Sequence, residues 1–199
     1  IAVADQARPV REPMSATTLL WLVTGCMMLQ PLSTDLYLAS LPGMALDFGV
    51  SPAAVQQTLS LFVFGFGTAQ LISGPLSDRY GRRPVLIGGL ALYFVSGLAC
   101  ALAPSLGWLI AARFVQAIGC CTAVVVARAI VRDAYAPAEG ARVMARALSL
   151  LALAPILGPI LGGYLQVAFG WRAAFVTLAL SGLAMWVASL RHLTESNPK

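Results

Sequence analysis

Long apolar runs alternate with short polar or turn-rich breaks along the whole chain. A bilayer crossing needs roughly 20 apolar residues as a helix. Backbone groups in hydrocarbon must bond within their own segment, and barrel strands would be shorter and would alternate apolar with polar positions. The pattern therefore predicts an all-α membrane protein with six spans, near residues 17–41, 54–74, 84–103, 107–131, 142–167 and 171–190.

The composition supports the same fold class. Hydrophobic residues make up 59% of the 199 residues and charged residues only 11%, whereas a soluble domain is about half apolar and about a quarter charged. The composition therefore argues against an ordinary cytosolic enzyme. We expect a cytoplasmic tail over residues 1–16, a six-helix transmembrane bundle over 17–190, and the start of a cytoplasmic linker over 191–199.

The charges lie mainly between the apolar runs. Because they do not form one basic face, the net charge of +5 does not indicate nucleic-acid binding. If the N-terminus is cytoplasmic, eleven basic residues fall on or near the inner side and two, Arg113 and Arg172, on the outer side. This positive-inside bias predicts that both ends are cytoplasmic.

Several kinds of chemistry leave no trace in the sequence. The four cysteines lie inside apolar runs without CxxC spacing, and His192 is the only histidine, so we expect no metal site and no cofactor. The motifs HExxH, GxSxG and the P-loop are missing, which argues against a membrane enzyme and against ATP as the energy source.

The break after the second run contains an unexpected acid. It reads GPLSDRYGRRP over residues 74–84. Arg79, Arg82 and Arg83 are typical of the positive charges that mark the cytoplasmic end of a span. Asp78 carries a negative charge and therefore works against that signal. Gly74 and Gly81 frame this segment, and glycine permits close helix approach or a positive φ in a tight turn. We expect Asp78 to form a breakable charge network with neighbouring helices.

This segment resembles motif A of the major facilitator superfamily, of form GxLaDrxGrkp. Two further segments agree in order: ARFVQAIG at 112–119 resembles motif B, with Ala117 in place of a usual glycine, and PILGPILGG at 155–163 resembles the antiporter motif C, whose start is degenerate here at Ala152 and Ala154. The segment STDLYLASLP at 33–42 is similar to the bicyclomycin/chloramphenicol-resistance (Bcr/CflA) drug:proton antiporters. Such transporters have twelve helices, so the chain resembles the N-terminal half of one.

Asp35 is the only acid inside a predicted span. An ionisable group within a membrane helix costs about 2.5–3.5 kcal/mol on insertion scales and usually faces a cavity or a partner. Burial favours its neutral form and a nearby cation its ionised form. Asp35 could therefore carry a proton or engage a cationic substrate; the alternative is a structural hydrogen bond between helices.

Arg113 and Gln116 lie three residues apart, on one face of the fourth helix. An arginine does not usefully deprotonate, so we expect Arg113 to tune a neighbouring carboxyl and to hold a polar network with Gln116. The resemblance implies a role in proton coupling. The alternative is an arginine whose side chain reaches the outer interface.

The fifth apolar run contains two sets of residues that each recur every four positions. Ala154, Gly158 and Gly162 form a small-residue stripe for close packing, while Pro155 and Pro159 interrupt the backbone hydrogen bonds. Together with Gly163 these residues predict a kinked, tightly packed helix that serves as a moving seal. Structural packing alone is the alternative.

The resemblance implies a secondary transporter that exports drugs or small amphipathic compounds in exchange for protons. It would act in a bacterial-type inner membrane together with a second six-helix half. A metabolite symporter or uniporter of the same superfamily is the nearest alternative, and a non-transporting membrane protein is a further one.

Overall fold

The computed structural model describes residues 15–193. This part of the chain is helical between short connections, in agreement with the predicted fold class. Its eight helices are α1 Ala16–Leu38, α2 Leu41–Phe48, α3 Pro52–Tyr80, α4 Arg82–Ala101, α5 Leu106–Ala134, α6 Pro137–Leu151, α7 Ala154–Phe169 and α8 Arg172–His192. Most of the expected N-terminal tail and of the C-terminal linker lies outside the described residues.

Five helical segments of residues 15–193 are long and apolar enough to cross a membrane. They are α3, α4, α5, α8 and the combined stretch 137–169, which contains α6 and α7. The helix α1 has 23 residues, but Gln30, Ser33, Thr34 and Asp35 lower the hydropathy of its second half. Five of the six predicted spans are thus supported, and the crossing by α1 stays a prediction.

The first predicted span ends three residues early. The break between the first two predicted spans, which we expected to be an irregular loop, is mostly helical. The helix α1 stops at Leu38, and the short helix α2 fills most of the stretch that we expected to be irregular. Pro42 sits in the first turn of α2, where its missing N–H costs no hydrogen bond. Gly49, with φ +64°, then ends α2 in the left-handed conformation that glycine adopts without strain.

The loop expected at residues 74–84 is also wrong, because most of it is helix. The helix α3 continues past Pro75 to Tyr80, and the Ser77 hydroxyl donates to the Gly74 carbonyl at 2.9 Å within it. The chain breaks only at Gly81, which has φ +100° and ψ 152°. Gly81 therefore serves the sharp turn into α4, since a residue with a Cβ is strained at this φ.

The fifth predicted span is interrupted near its middle. The helix α6 ends at Leu151 and α7 begins at Ala154. Pro155 lies in the first turn of α7, where it cannot donate the hydrogen bond that would continue α6 into α7. The predicted kink is therefore present as a break between two helices.

The helix α5 forms the centre of the described bundle. It contacts α1, α3, α4 and α6, and most of its residues are buried. It approaches α4 closely at Gly119, where an added Cβ would lie 2.6 Å from the Gly89 carbonyl oxygen and 2.6 Å from the Tyr93 nitrogen. This approach places the polar residues of α5 against its neighbours.

The two ends of the bundle carry different connections. One end, called here the Gly81 end, holds the start of α1, the α3–α4 and α5–α6 connections and the end of α8. The other, called the Gly170 end, holds α2 and the α4–α5 and α7–α8 connections. Side chains bridge elements at each end, as Arg83 to Leu193 at the first and Asp47 to Trp171 at the second.

Candidate functional site

Arg113 lies at the centre of the bundle with no exposed surface. Its Nη1 donates to Gln116 Oε1 at 2.9 Å, and its Nη2 donates to the Ser33 carbonyl oxygen of α1, also at 2.9 Å. The predicted Arg113–Gln116 pair is therefore present. The alternative of an arginine reaching the outer interface is wrong, because the guanidinium is fully enclosed by protein.

Three aromatic rings surround the Arg113 guanidinium. Its Cζ lies 4.1 Å from the ring centroid of Phe62 in α3, 4.6 Å from that of Tyr37 in α1 and 5.7 Å from that of Phe175 in α8. The negative faces of such rings stabilise a desolvated cation. Among the described residues, no carboxylate lies within ion-pair distance of Arg113. Within residues 15–193, the Nε of Arg113 and the Nε2 of Gln116 have no hydrogen-bond partner.

A belt of buried hydroxyl groups extends from this centre. The Ser33 hydroxyl and the Tyr93 hydroxyl are 2.7 Å apart, which connects α1 with α4. The Tyr37 hydroxyl bonds to the Thr58 hydroxyl, which connects α1 with α3. All four of these side chains are buried. The aromatic residues and the belt were not predicted, because their spacing in sequence does not show which helices meet.

Asp35 lies in α1, two residues beyond the Ser33 carbonyl that Arg113 binds. It is partly exposed, and the Thr34 hydroxyl lies 3.1 Å from its Oδ1. It forms no ion pair with Arg113. The electrostatic tuning that we expected from Arg113 is thus not a direct contact, and the two residues are connected through the α1 backbone.

The small-residue stripe of α7 packs on α1 at Asp35. Ala154, Gly158 and Gly162 are buried, whereas Pro155 and Pro159 are exposed. A Cβ added to Gly158 would lie 2.7 Å from Asp35 Cβ. A Cβ added to Gly162 would collide with the Leu36 carbonyl.

The expected close packing of this motif is therefore present at Gly158 and Gly162. Gly163 differs, because a Cβ added there would meet no described atom within 4 Å.

Arg82 is the centre of a charge network at the Gly81 end. Its side chain is 5% exposed and binds Asp78 Oδ1 at 2.5 Å and Asp133 Oδ2 at 2.8 Å. Its Nη1 also donates to the Ser77 hydroxyl at 2.6 Å. The expected charge network of Asp78 is thus present, and it connects α3, α4 and α5.

Sequence reasoning missed Asp133. Like Asp78, it is an acid among arginines near the end of an apolar run, and that signal could have identified it. The arrangement of two carboxylates on one buried guanidinium gives charge-assisted hydrogen bonds that a relative movement of these helices would break.

Arg83 and Arg79, from the same 74–84 segment, make contacts outside the Arg82 network. Arg83 donates to the carbonyl oxygens of Leu193 at 2.8 Å and Leu190 at 3.3 Å, at the C-terminal end of α8, where the helix dipole favours a cation. The Arg79 guanidinium lies over the Tyr80 ring at 5.4 Å. A Cβ on Gly74 would meet no described atom within 4 Å, so its role in close helix packing stays a prediction.

Residues 23–199 match the family model of the Major Facilitator Superfamily. The chain belongs to this superfamily. It is 35% identical over 171 residues to the Multidrug resistance protein MdtL of Escherichia coli O139:H28, an alignment that covers 86% of this chain and 44% of the relative. The chain thus spans about half the length of the curated relatives that it matches.

Solved transporter structures share its fold. The human organic anion transporter MFSD10 (TETRAN) has a TM-score of 0.70 at 22% identity, over 92% of this chain and 48% of the other. The proton:xylose symporter XylE has a TM-score of 0.74 at 17% identity, over 90% of this chain and 45% of the other. Together with the apolar helices, these matches place the chain among multi-pass membrane proteins.

A further cluster, at the Gly170 end, was not predicted from the superfamily motifs. Asp47 of α2 accepts from Trp171 Nε1 at 2.8 Å and lies 3.5 Å from Arg172 Nη1. The Trp171 ring packs on Phe48 and Phe175 at centroid distances of 5.3 and 5.9 Å. Trp171 is 2% exposed, so this cluster is packed inside the protein.

Proposed function

We propose that this chain is half of a secondary active transporter that exports drugs or small amphipathic compounds in exchange for protons. The name of its MdtL relatives, multidrug resistance protein, supports drug export. The resemblance of residues 33–42 and 155–163 to drug:proton antiporters supports proton exchange and the Bcr/CflA subtype. The proposed protein is a transporter and not an enzyme, and it needs no cofactor.

The position of Asp35 is the observation on which the proposal depends. It is the one acid of this half placed within a predicted span, and it is partly exposed. On one side it adjoins the Ser33 carbonyl that Arg113 binds. On the other it packs against Gly158 of α7. A proton that enters or leaves Asp35 therefore changes charge at the contact of three helices.

We assign Asp35 the role of proton carrier and Arg113 and Gln116 a positioning role. The guanidinium holds the α1 backbone beside the carboxyl and keeps a fixed positive charge inside the bundle. One proton moved through 100 mV releases about 2.3 kcal/mol, which suffices to drive accumulation when it is coupled to substrate movement.

The remaining motif residues are assigned to movement. Gly74, Asp78, Arg79, Gly81, Arg82 and Arg83 form the proposed gate at the Gly81 end, where the Arg82 network closes in one state and opens in another. Pro155, Gly158, Pro159, Gly162 and Gly163 form the proposed seal, because a broken helix with a smooth face can shift along α1. Alternating access would come from rocking against a second bundle.

We place the protein in a bacterial-type inner membrane with the Gly81 end in the cytoplasm. The arginine-rich Gly81 end supports this orientation through the positive-inside rule. The partners are the substrate, protons, the lipid bilayer and a second six-helix half. A symporter or uniporter of the superfamily is the alternative, and motif C over residues 155–163 favours antiport over both.

The test is uphill transport by the intact protein in proteoliposomes. A pH gradient of either sign is imposed, and movement of a fluorescent amphipathic drug is followed with and without a protonophore. Antiport predicts drug movement opposite to the proton gradient that stops when the protonophore is added. Drug movement in the same direction as the protons would indicate symport. Drug movement that does not depend on the proton gradient would indicate uniport. Either result would overturn the proposal.

A further inference from the structure

Two arginines of α5 lack partners within the described part of the chain. Arg128 and Arg132 are four residues apart and so lie on one face of the helix. Both are exposed, and neither forms a hydrogen bond or ion pair within residues 15–193. Arg82 is different, because its guanidinium is bound by two carboxylates.

Arg128 lies deeper in α5 than Arg132, the other arginine of this face. It lies six residues before the end of α5 at Ala134, which is about 9 Å at the helical rise. A positive-inside signal needs charges only in loops and near the ends of spans. A charge within a span is costly and usually faces a cavity or a ligand pathway.

Both arginines stand on a ridge between two grooves. The groove between α3 and α5 has a volume of about 450 Å³, and its other charges are Asp78 and Arg82, which bind each other. The groove between α5 and α6 has a volume of about 520 Å³, and within residues 15–193 its only charged lining residues are Arg128 and Arg132. The second groove therefore offers positive charge without a competing acid.

The α5–α6 groove also has a large apolar wall. Its lining includes Tyr135, Ala141 and Met144 beside the two arginines. The volume is in the range of pockets that hold one drug-sized molecule, about 300–1,000 Å³. Two guanidiniums at one edge and an apolar wall beside them match a molecule with an anionic group and an apolar body.

We propose that the α5–α6 groove binds small amphipathic anions, with a carboxylate or sulfonate on Arg128 and Arg132 and the apolar body on Tyr135, Ala141 and Met144. This inference rests on the proposed export function and names its substrate class. Recruitment at the Gly81 end would collect such anions from the cytoplasmic side in the orientation proposed above.

The test compares three probes that share one fluorophore. Dansylglycine carries a carboxylate, dansylglycinamide is neutral and dansylcadaverine is a cation. Binding to the intact protein in dodecylmaltoside is measured by fluorescence titration. We expect dansylglycine to bind at least about tenfold more tightly than the amide, because a hydrogen bond to a charged group is worth about 1.5–3 kcal/mol. High salt should weaken only the anionic probe.

Variants separate these arginines from the general positive charge of this end. The double variant Arg128→Gln/Arg132→Gln should bind dansylglycine and its amide equally, while Arg128→Lys/Arg132→Lys should keep most of the preference. Arg191→Gln is the matched control, since Arg191 is exposed at the same end and lines neither groove. Thermal unfolding of each variant shows whether it is folded, and the salt titration of the unmodified protein tests the proposal independently of the variants.

Three results would overturn the inference: equal affinity for all three probes, preference for the cation, or a preference that survives in the double glutamine variant. Native mass spectrometry then identifies what the groove holds in the third case. If the double variant loses bound phosphatidylglycerol while its probe preference is unchanged, the groove holds a lipid headgroup instead. Because binding needs no proton gradient, absence of uphill export with intact probe preference would refute only the proposed function.

Discussion

The Nη2 of Arg113 donates to the backbone carbonyl of Ser33 at 2.9 Å, and both residues are fully buried. A main-chain carbonyl is a partner that no sequence motif specifies. The bond connects the centre of α5 to α1 two residues before Asp35. We therefore expect a change at Asp35 to reach α5 through the α1 backbone, since no ion pair joins the two charged side chains among the described residues.

Replacing the α1 carboxyl should separate binding from proton-driven export. Asp35→Asn keeps the shape and hydrogen bonding of the side chain but cannot take up or release a proton. We expect uphill efflux in the intact protein to fall to the level of protein-free vesicles, while neutral drugs still bind. Efflux against an imposed pH gradient and binding by fluorescence titration measure the two effects.

Asp47→Asn is the matched control, because Asp47 belongs to the Gly170 end and an amide oxygen can still accept from Trp171. Normal uphill export by Asp35→Asn would place the proton carrier elsewhere in the intact protein.

Weakening the Arg82 network should slow conformational cycling more than it changes substrate affinity. Asp78→Asn removes the charge that binds Arg82 at 2.5 Å. Loss of one charge-assisted hydrogen bond, about 1.5–3 kcal/mol, corresponds to a decrease of at least about tenfold in the cycling rate. The measurement is substrate exchange between the two sides of proteoliposomes, with the binding constant determined in parallel.

Glu139→Gln serves as the control for Asp78→Asn, since Glu139 lies at the same end and forms no ion pair among the described residues. An Asp78→Asn protein that exchanges substrate at the unmodified rate would exclude the gating role.

Two adjacent glycines of α7 should respond differently to one added methyl group. Gly162→Ala places a Cβ against the Leu36 carbonyl, so we expect the free energy of unfolding to fall by about 1–3 kcal/mol. Gly163→Ala meets no described atom within 4 Å and should change it by less than about 0.5 kcal/mol. Thermal unfolding in detergent compares the two variants, and equal loss in both would contradict the packing of α7 on α1.

Labelling at the two ends of the bundle should reveal its orientation. Ser105 and Ala138 are exposed and belong to opposite ends, whereas the four native cysteines are buried. A cysteine at Ser105 should react with an impermeant maleimide added outside intact cells. One at Ala138 should react only in inside-out vesicles. Reaction of both from the same side would refute the topology.

The pattern of apolar runs predicted which segments are helical but did not predict where each helix ends. Apolar runs predicted helices at all six positions because burial in hydrocarbon leaves no other way to satisfy the backbone. The continuation of α3 past Pro75 and the folding of residues 41–48 into α2 were missed. Proline within a run lowers helix stability locally, and neighbouring contacts decide whether the helix ends there.

The sequence by itself determined the helical membrane class, the superfamily motifs and the residues that carry charge inside them. These features depend on the composition of the chain, the length of its apolar runs and the spacing of its motif residues, which are all properties of the local sequence. The tertiary structure alone decided the partners: the aromatic residues around Arg113, Asp133 beside Arg82, and Gly158 against Asp35. Each of these contacts joins different helices. Their formation depends on how the helices pack against one another, and a linear sequence records that packing only indirectly.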